Sequence, residues 1–301
     1  MSLARLITRL ERGGRDGREV SALAYLAGAE PPTVGITGAP GAGKSTLVSR
    51  LIVVARKEVG ELGVIAVDPT SPFTGGAILG DRVRMQDHAL DQGVFIRSMA
   101  TRGHLGGLSL AVPEGVRLLA TAGMERVFVE TVGVGQVEVE VASATDTTIV
   151  VLTPGWGDSV QANKAGLLEI ADIFVINKAD RPGARQTRLD LEQMLNMSQA
   201  TAWTPPIVET VATEDKGVTE LWAAIRAHEE SLAETGELEA RRCARLDREF
   251  RRILRARVEL EIDRLVDQEE HRAILQSVVA HELDPYEAAD KLIGELGPSA
   301  P

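Results

Sequence analysis

Apolar residues recur along this chain with two different periods, and the change of period marks out its regions. Leu3, Leu6, Ile7 and Leu10 fall at i, i+3, i+4 and i+7, which is one face of a helix. Gly13 to Gly17 (GGRDG) breaks that pattern, and Val20, Leu23, Ala24 and Leu26 resume it as far as Gly28. Two short helices are therefore predicted, separated from the first strand by Pro31 and Pro32. From residue 33 to about 230, short apolar runs alternate with helical ones. The predicted strands are Thr33–Thr37, Val64–Asp68, Val94–Arg97, Arg126–Thr131, Thr147–Leu152, Ile173–Asn177 and Pro206–Thr210. Most are rich in Val and Ile and end at or near Gly, Pro, Asp or Asn. Strand and helix in alternation predict an α/β fold, a doubly wound, mostly parallel sheet. Ligands of such sheets bind beyond the carboxyl ends of the strands, and the polar motifs of this chain fall at those ends.

Beyond residue 231 the pattern changes again. Arginines from Arg241 to Arg257 interleave with Leu246, Phe250, Ile253, Leu254 and Val258, and Asp247, Glu249, Glu259 and Glu261 are mixed in. This spacing predicts a long amphipathic helix with an ion-rich outer side. Two roles suit it: a solvated helix packed on its own domain, or an arm that packs against a second subunit. A last helix pair is predicted at about Glu269–Leu283 and Pro285–Leu296.

Composition narrows the function. The 301 residues are 44% hydrophobic, enough for one sizeable core with accessory helices. Aromatics supply only 3%, so the core must be mostly Val, Leu, Ile and Ala, as in a buried parallel sheet. A net charge of −11 argues against binding nucleic acid through a broad basic face. Cys243 is the single cysteine, which excludes an internal disulfide and a multi-cysteine metal site. The start of the chain (MSLARLITRLERGG) lacks the apolar core of a signal peptide, and no run approaches the roughly 18 apolar residues of a membrane span. A cytoplasmic location with no membrane partner is the expectation.

The most informative stretch is GAPGAGKST, comprising Gly38, Ala39, Pro40, Gly41, Ala42, Gly43, Lys44, Ser45 and Thr46. It lies between a predicted strand and the helix-like run Leu47–Lys57, the context that makes Gly-x-x-x-x-Gly-Lys-[Ser/Thr] a phosphate-binding loop. The glycines let the backbone turn several N–H groups toward one anion. The following helix adds its N-terminal partial charge. Lys44 is expected on the β- and γ-phosphates, and the Ser45 hydroxyl on Mg2+.

A second motif, Asn177-Lys178-Ala179-Asp180, closes another predicted strand. The Asp180 carboxylate is expected to accept from the ring N1–H and exocyclic amine of guanine. Adenine has no matching donor pair, and a site built to hydrogen-bond a group rejects an analogue lacking it by up to ~10⁴–10⁵. Asn177 is expected to tie this motif to the phosphate loop, and the stem of Lys178 to cover the base. Val211-Ala212-Thr213 follows the last predicted strand, where a backbone N–H is expected to reach guanine O6.

Mg2+ takes hard oxygen ligands and usually keeps some waters. Ser45, Asp68, Asp81 and Glu130 are the candidates, and each acid has the alternative of capping a helix or lying in a loop. Glu130 precedes Gly133, an arrangement like the Asp-x-x-Gly of GTPases with Glu for Asp, and this makes the Gly133 N–H a candidate γ-phosphate contact. Val134 follows that glycine, so no residue is assigned to position the attacking water. His104, in a Gly-rich loop, is expected to be structural.

Together the motifs resemble those of the MeaB/ArgK-type P-loop GTPases of the SIMIBI class, chaperones of adenosylcobalamin-dependent methylmalonyl-CoA mutase. The resemblance is carried by GAPGAGKST (38–46), VDPTSPFTGGAILGDRVRM (67–85), RSMATRGHLGGLS (97–109), ETVGVGQ (130–136), GDSVQANKAG (157–166) and NKAD (177–180). It implies a GTPase that takes GTP/GDP and Mg2+, with Lys44, Asp68 and Glu130 carrying hydrolysis and Ser45, Asp68, Asp81 and Glu130 holding the metal. It implies that Gln161 and Lys164 signal to the mutase and that the C-terminal helices form a homodimer. The domains it implies are an N-terminal helical extension (1–30), a GTPase domain (31–230) and a dimerisation arm (231–301). Thr210-Val211-Ala212 departs from the family's more usual Ser-Ala pair. A transport-system kinase and a metal-insertion GTPase are the alternatives; the first lacks a reason for a guanine reader, and the second needs Cys/His clusters that five scattered histidines and one cysteine do not suggest.

Overall fold

A computed structural model describes residues 2–69, 86–88, 90–101, 108–131, 141–155, 169–197, 202–266 and 269–296. They fall into two compact units, Met1–Leu246 and Asp247–Pro301.

The first unit is built on a seven-stranded sheet. Its strands are β1 (Thr33–Gly38), β2 (Leu62–Pro69), β3 (Val94–Thr101), β4 (Arg126–Thr131), β5 (Thr147–Leu152), β6 (Ile173–Asn177) and β7 (Ile207–Thr210). Their order is β3-β2-β4-β1-β5-β6-β7, with every neighbouring pair parallel. The doubly wound parallel sheet expected from the alternation is thus the fold. Positions in β1, β4, β5 and β6 are buried throughout, which is why these strands read as continuous apolar runs.

The described helices of this unit are α1 (Leu3–Arg12), α2 (Gly14–Leu26), α3 (Lys44–Ala55), α4 (Leu108–Thr121), α5 (Ala184–Met197), α6 (Val218–Thr235) and the first turns of α7 (Glu237–Val266). Side chains alternate between the faces of a strand, so most strands feed two cores. Val34, Ile36, Phe128, Ile149 and Val151 pack with Leu47 and Leu51 of α3 and Leu221 and Trp222 of α6. On the other face Ile65, Val67, Val127 and Val129 pack with Ile7 of α1, Val20 of α2 and Leu119 of α4. Farther along that face, Val150, Leu152, Phe174 and Ile176 meet Leu191 of α5. The second unit contains the rest of α7, α8 (Glu269–Val279) and α9 (Pro285–Leu296). Among the described residues, no helix is long and apolar enough to cross a membrane.

Four boundaries differ from the sequence pattern for identifiable reasons. The expected break over Gly13–Gly17 is confined to its start, because α2 begins at Gly14 and carries Gly17 buried within it. A Cβ on Gly17 would stand 2.7 Å from the Arg9 carbonyl oxygen, so this glycine lets α1 and α2 close up. Helix α3 starts at Lys44, ahead of the apolar run, because Gly43 in left-handed conformation turns the phosphate loop directly into it. Strand β3 runs on to Thr101, paired along its length with β2. Helix α8 stops at Val279, where His281 (φ 60°) turns the chain and the Glu282 N–H returns to the Ser277 carbonyl at 2.9 Å.

Candidate guanine nucleotide site

The sheet reverses its winding at β1, between β4 and β5, and the predicted motifs meet at the carboxyl ends of these strands. Two glycines are sterically required there. At Gly38 (φ 136°) a Cβ would stand 2.1 Å from the Val151 carbonyl oxygen of β5. At Gly43 (φ 89°) a Cβ would stand 2.4 Å from Asn177 Nδ2. The loop between them, Ala39 to Ala42, delivers the chain to the N-terminus of α3. Unbonded first-turn N–H groups and the helix dipole favour an anion at such a terminus.

Lys44 and Ser45 open α3, both buried, and Thr46 follows in the same turn. Lys44 Nζ donates to the carbonyls of Gly38 (2.5 Å) and Ala39 (3.1 Å), so its ammonium lies along the loop. The Ser45 hydroxyl donates to Glu130 Oε1 at 2.7 Å. Glu130 is fully buried at the end of β4. An ionised carboxylate out of water is costly unless paired, hydrogen-bonded or bound to a metal. On the opposite face of the same two strands, Thr131 Oγ1 donates to Thr37 Oγ1 at 3.2 Å. The ends of β1 and β4 are therefore braced on both sides.

The base-side motif is tied to the phosphate side by direct contacts. Asn177 Nδ2 donates to the Ala42 carbonyl (2.8 Å), and Asn177 Oδ1 accepts from Thr210 Oγ1 (3.1 Å) and the Ala212 N–H (3.2 Å). Lys178, in left-handed conformation (φ 59°), donates from Nζ to the Gly41 carbonyl at 2.6 Å. Asp180 stands exposed beyond it. Val211 donates its N–H to the Lys216 carbonyl at 3.0 Å, closing the loop that holds Val211, Ala212 and Thr213. The expected tie between Asn177 and the phosphate loop is present. Thr210 is the member that spacing alone did not assign a role, and a hydroxyl at the last residue of the neighbouring strand is its signal.

Asp68 lies near the end of β2, paired with Ala100 of β3, and two residues earlier Ala66 pairs with Glu130. Backbone register thus puts Asp68 beside β4's carboxyl end. Asp81, Gly133, Gln161 and Lys164 lie outside the described residues, as do His104 and Val134. What the described residues bring together is a glycine-turned loop opening a helix with an ammonium along it, a buried hydroxyl–carboxylate pair, and an exposed carboxylate three residues beyond the bridging Asn177.

Comparison with known proteins agrees with this geometry. Residues 3–267 match the family described as methylmalonyl Co-A mutase-associated GTPase MeaB. A Pyrococcus abyssi protein named as a GTPase is 49% identical over 297 residues, covering 97% of this chain and 92% of its own. The Escherichia coli protein GTPase ArgK is 41% identical over 213 residues, 68% of this chain and 64% of its own. A mouse protein, methylmalonic aciduria type A homolog, mitochondrial, is 36% identical over 69% of this chain and 52% of its own. Among solved structures, one titled LAO/AO transport system kinase superposes with a TM-score of 0.69 at 28% identity, covering 98% of this chain and 92% of that one. A phosphate loop, a guanine motif bonded to it and a family match over nearly the whole length identify this chain as a member of the MeaB family of GTPases.

Proposed function

We propose that this GTPase works as a Mg2+-dependent chaperone that gates adenosylcobalamin loading into an acyl-CoA mutase and protects or reactivates that enzyme. The observation that carries the reading is the Asn177 bridge, which hydrogen-bonds the motif proposed to read the base to the phosphate loop. The family description names a methylmalonyl-CoA mutase, and the mouse relative's name refers to methylmalonic aciduria; both support a mutase partner.

The residues suit Mg2+. Ser45 Oγ and Glu130 Oε1 are hard oxygens 2.7 Å apart beside the phosphate loop, and Asp68 and Asp81 are proposed to complete the set, directly or through water. When bound, the metal would neutralise charge on the β- and γ-phosphate oxygens. Lys44 supplies a further positive charge, which is worth most where charge grows in the transition state. Gly133 is proposed to touch the γ-phosphate, and Asp180 to read guanine. Gln161 and Lys164 are proposed to carry the nucleotide state to the mutase, which responds only if it binds the two states unequally. Residues 1–30, 31–230 and 231–301 would serve as extension, GTPase domain and dimer arm, in the cytoplasm. A second reading rests on the kinase title of the similar structure: transfer to an amino acid or a binding protein rather than to water.

The test is reconstitution. With Mg2+ present, calorimetry should show GTP binding at least about 10³-fold tighter than ATP. A non-hydrolysable GTP analogue should retain an adenosylcobalamin-dependent mutase from native lysate, and that mutase should accelerate hydrolysis. Equal affinity for GTP and ATP would remove the guanine assignment. Phosphate delivered to an added acceptor instead of water would establish the kinase reading.

A further inference from the structure

We infer that His88 is a positioning residue for the metal side of this site: through Ser49 it fixes the helix whose first turn presents Ser45. The inference rests on the Mg2+–GTP reading above and adds a residue that none of the sequence motifs contains.

His88 ends a 3-10 turn, Gln86–His88, in the connection from β2 to β3, and is 7% exposed. Its Nε2 lies 2.9 Å from Ser49 Oγ and 3.0 Å from the Ser49 carbonyl oxygen. A carbonyl only accepts, so Nε2 carries the proton and shares it between the two oxygens. Ser49 is itself buried, 6% exposed, and stands four residues after Ser45 on α3, one helical turn along the same side. Ser45 in turn bonds Glu130. A chain of contacts therefore runs from His88 through Ser49 and one helical turn to the hydroxyl–carboxylate pair proposed for Mg2+. Aliphatic packing would fill this place without the cost of burying a polar ring. What the imidazole adds is a directed bond to one point on α3.

The same connection grips α3 a second time, and this contact serves as the control. Asp91 donates its N–H to the His88 carbonyl at 3.1 Å, and its carboxylate takes Arg56 Nε and Nη2, each at 3.0 Å. Arg56 is the C-cap of α3, eleven residues beyond Ser45. A contact that merely stabilises the fold should act alike from either point, whereas a positioning contact should matter near Ser45 and not at the far end.

The experiment measures release of a fluorescent GDP analogue against Mg2+ concentration, with hydrolysis followed in parallel and melting by circular dichroism. His88→Ala should raise the Mg2+ half-saturation about three- to tenfold, the range that one net hydrogen bond is worth, while affinity in EDTA stays within about twofold. His88→Gln, whose terminal amide reaches as far as Nε2, should restore most of the loss. His88→Asn, whose amide stops short, should not. Asp91→Ala should lower the melting temperature and leave Mg2+ half-saturation unchanged. Ser49→Ala, which removes one of the two acceptors, should shift Mg2+ half-saturation in the same direction by less, and it carries the test if His88→Ala does not fold. Wild-type Mg2+ dependence in a folded His88→Ala or Ser49→Ala protein would overturn the inference, as would equal weakening with and without Mg2+. Wild-type protein that shows no Mg2+-dependent retention of guanine nucleotide would instead overturn the proposed function.

Discussion

Gly43 is the residue that lets two distant motifs touch, and its substitution tests that contact directly. Alanine there would need φ near +89° and would put its Cβ 2.4 Å from Asn177 Nδ2. The strain of a non-glycine residue at positive φ is of order 1–3 kcal/mol, and Asn177 must also move. Gly43→Ala should lower the melting temperature by several degrees and weaken GTP binding by at least about tenfold; unchanged GTP affinity in calorimetry would show that the bridge is dispensable. Lys44→Ala removes the ammonium proposed to meet the transferring phosphate and should cut hydrolysis by about 10²–10³, the loss typical of one preorganised charge-stabilising group. Full turnover in a phosphate-release assay would remove the phosphate-loop assignment. Asp180→Asn replaces one acceptor with a donor, which matches xanthine's O2 in place of guanine's amine. Competition between GTP and XTP should shift toward XTP. The residues of these motifs were legible because phosphate and guanine chemistry demand particular types at fixed spacing. Thr210, Ser49 and His88 were not, since each acts on a partner 33 or 39 residues away and carries no local pattern.

At the scale of elements, the strands were legible because burial on both faces leaves runs of Val and Ile, but the partners of the α7 arginines were not. The periodicity assigns them to an ion-rich outer side without saying what it meets. Arg242 Nη2 and Arg245 Nη2 bond Asp146 at 3.0 and 2.5 Å, and Arg241 Nη1 bonds Asp172 at 2.9 Å, which fits the helix packed on its own domain over these first turns. These aspartates immediately precede β5 and β6, so the first turns of α7 are clamped to the amino end of the sheet, opposite the end that carries the phosphate loop. Asp146 also accepts from the Thr33 N–H at 3.1 Å. A helix pattern reports which residues share a face, not what that face meets, and two carboxylates at strand starts offer no periodic signal. Burial alone would raise the Asp146 pKa; the hydrogen bond from Arg242 and the charges of Arg245 and Arg242 outweigh it and hold the carboxylate below its ordinary range. A lowered folded-state pKa contributes stability that is complete above the unfolded value of about 3.9 and is lost as pH falls through the folded value. Asp146→Asn should therefore destabilise the protein at pH 7 by about 3–5 kcal/mol, as the loss of one partner from a buried pair does. The deficit should shrink as pH falls below about 4. Urea denaturation at both pH values measures this, and an equal deficit at each would show that the charge of Asp146 is not what the arginines require.

At the scale of the whole molecule, the phosphate loop and most of the C-terminal helices belong to different compact units, and one variant can test whether hydrolysis and self-association divide between them. Within Asp247–Pro301, Phe250, Leu254, Val258 and Ile262 recur every four residues along α7 and are 64%, 51%, 47% and 40% exposed. A continuous apolar row on one helix marks an interaction surface more than a solvated one. A second copy of this chain is the proposed occupant, because a two-fold axis lets the same row meet itself and leaves no unmatched surface to propagate. Phe250→Glu with Leu254→Glu would set like charges against each other across that axis. Light scattering should give about twice 32.3 kDa for the wild type and 32.3 kDa for the double variant. Basal hydrolysis should stay within about twofold, since the two substitutions lie outside the unit that holds Lys44, Ser45, Glu130 and Asn177. A wild type that scatters as a 32.3 kDa species would assign the row to another partner, with the mutase as the next candidate. A monomeric variant without basal turnover would mean that the second copy completes the site, and the division of labour between the two units would fail.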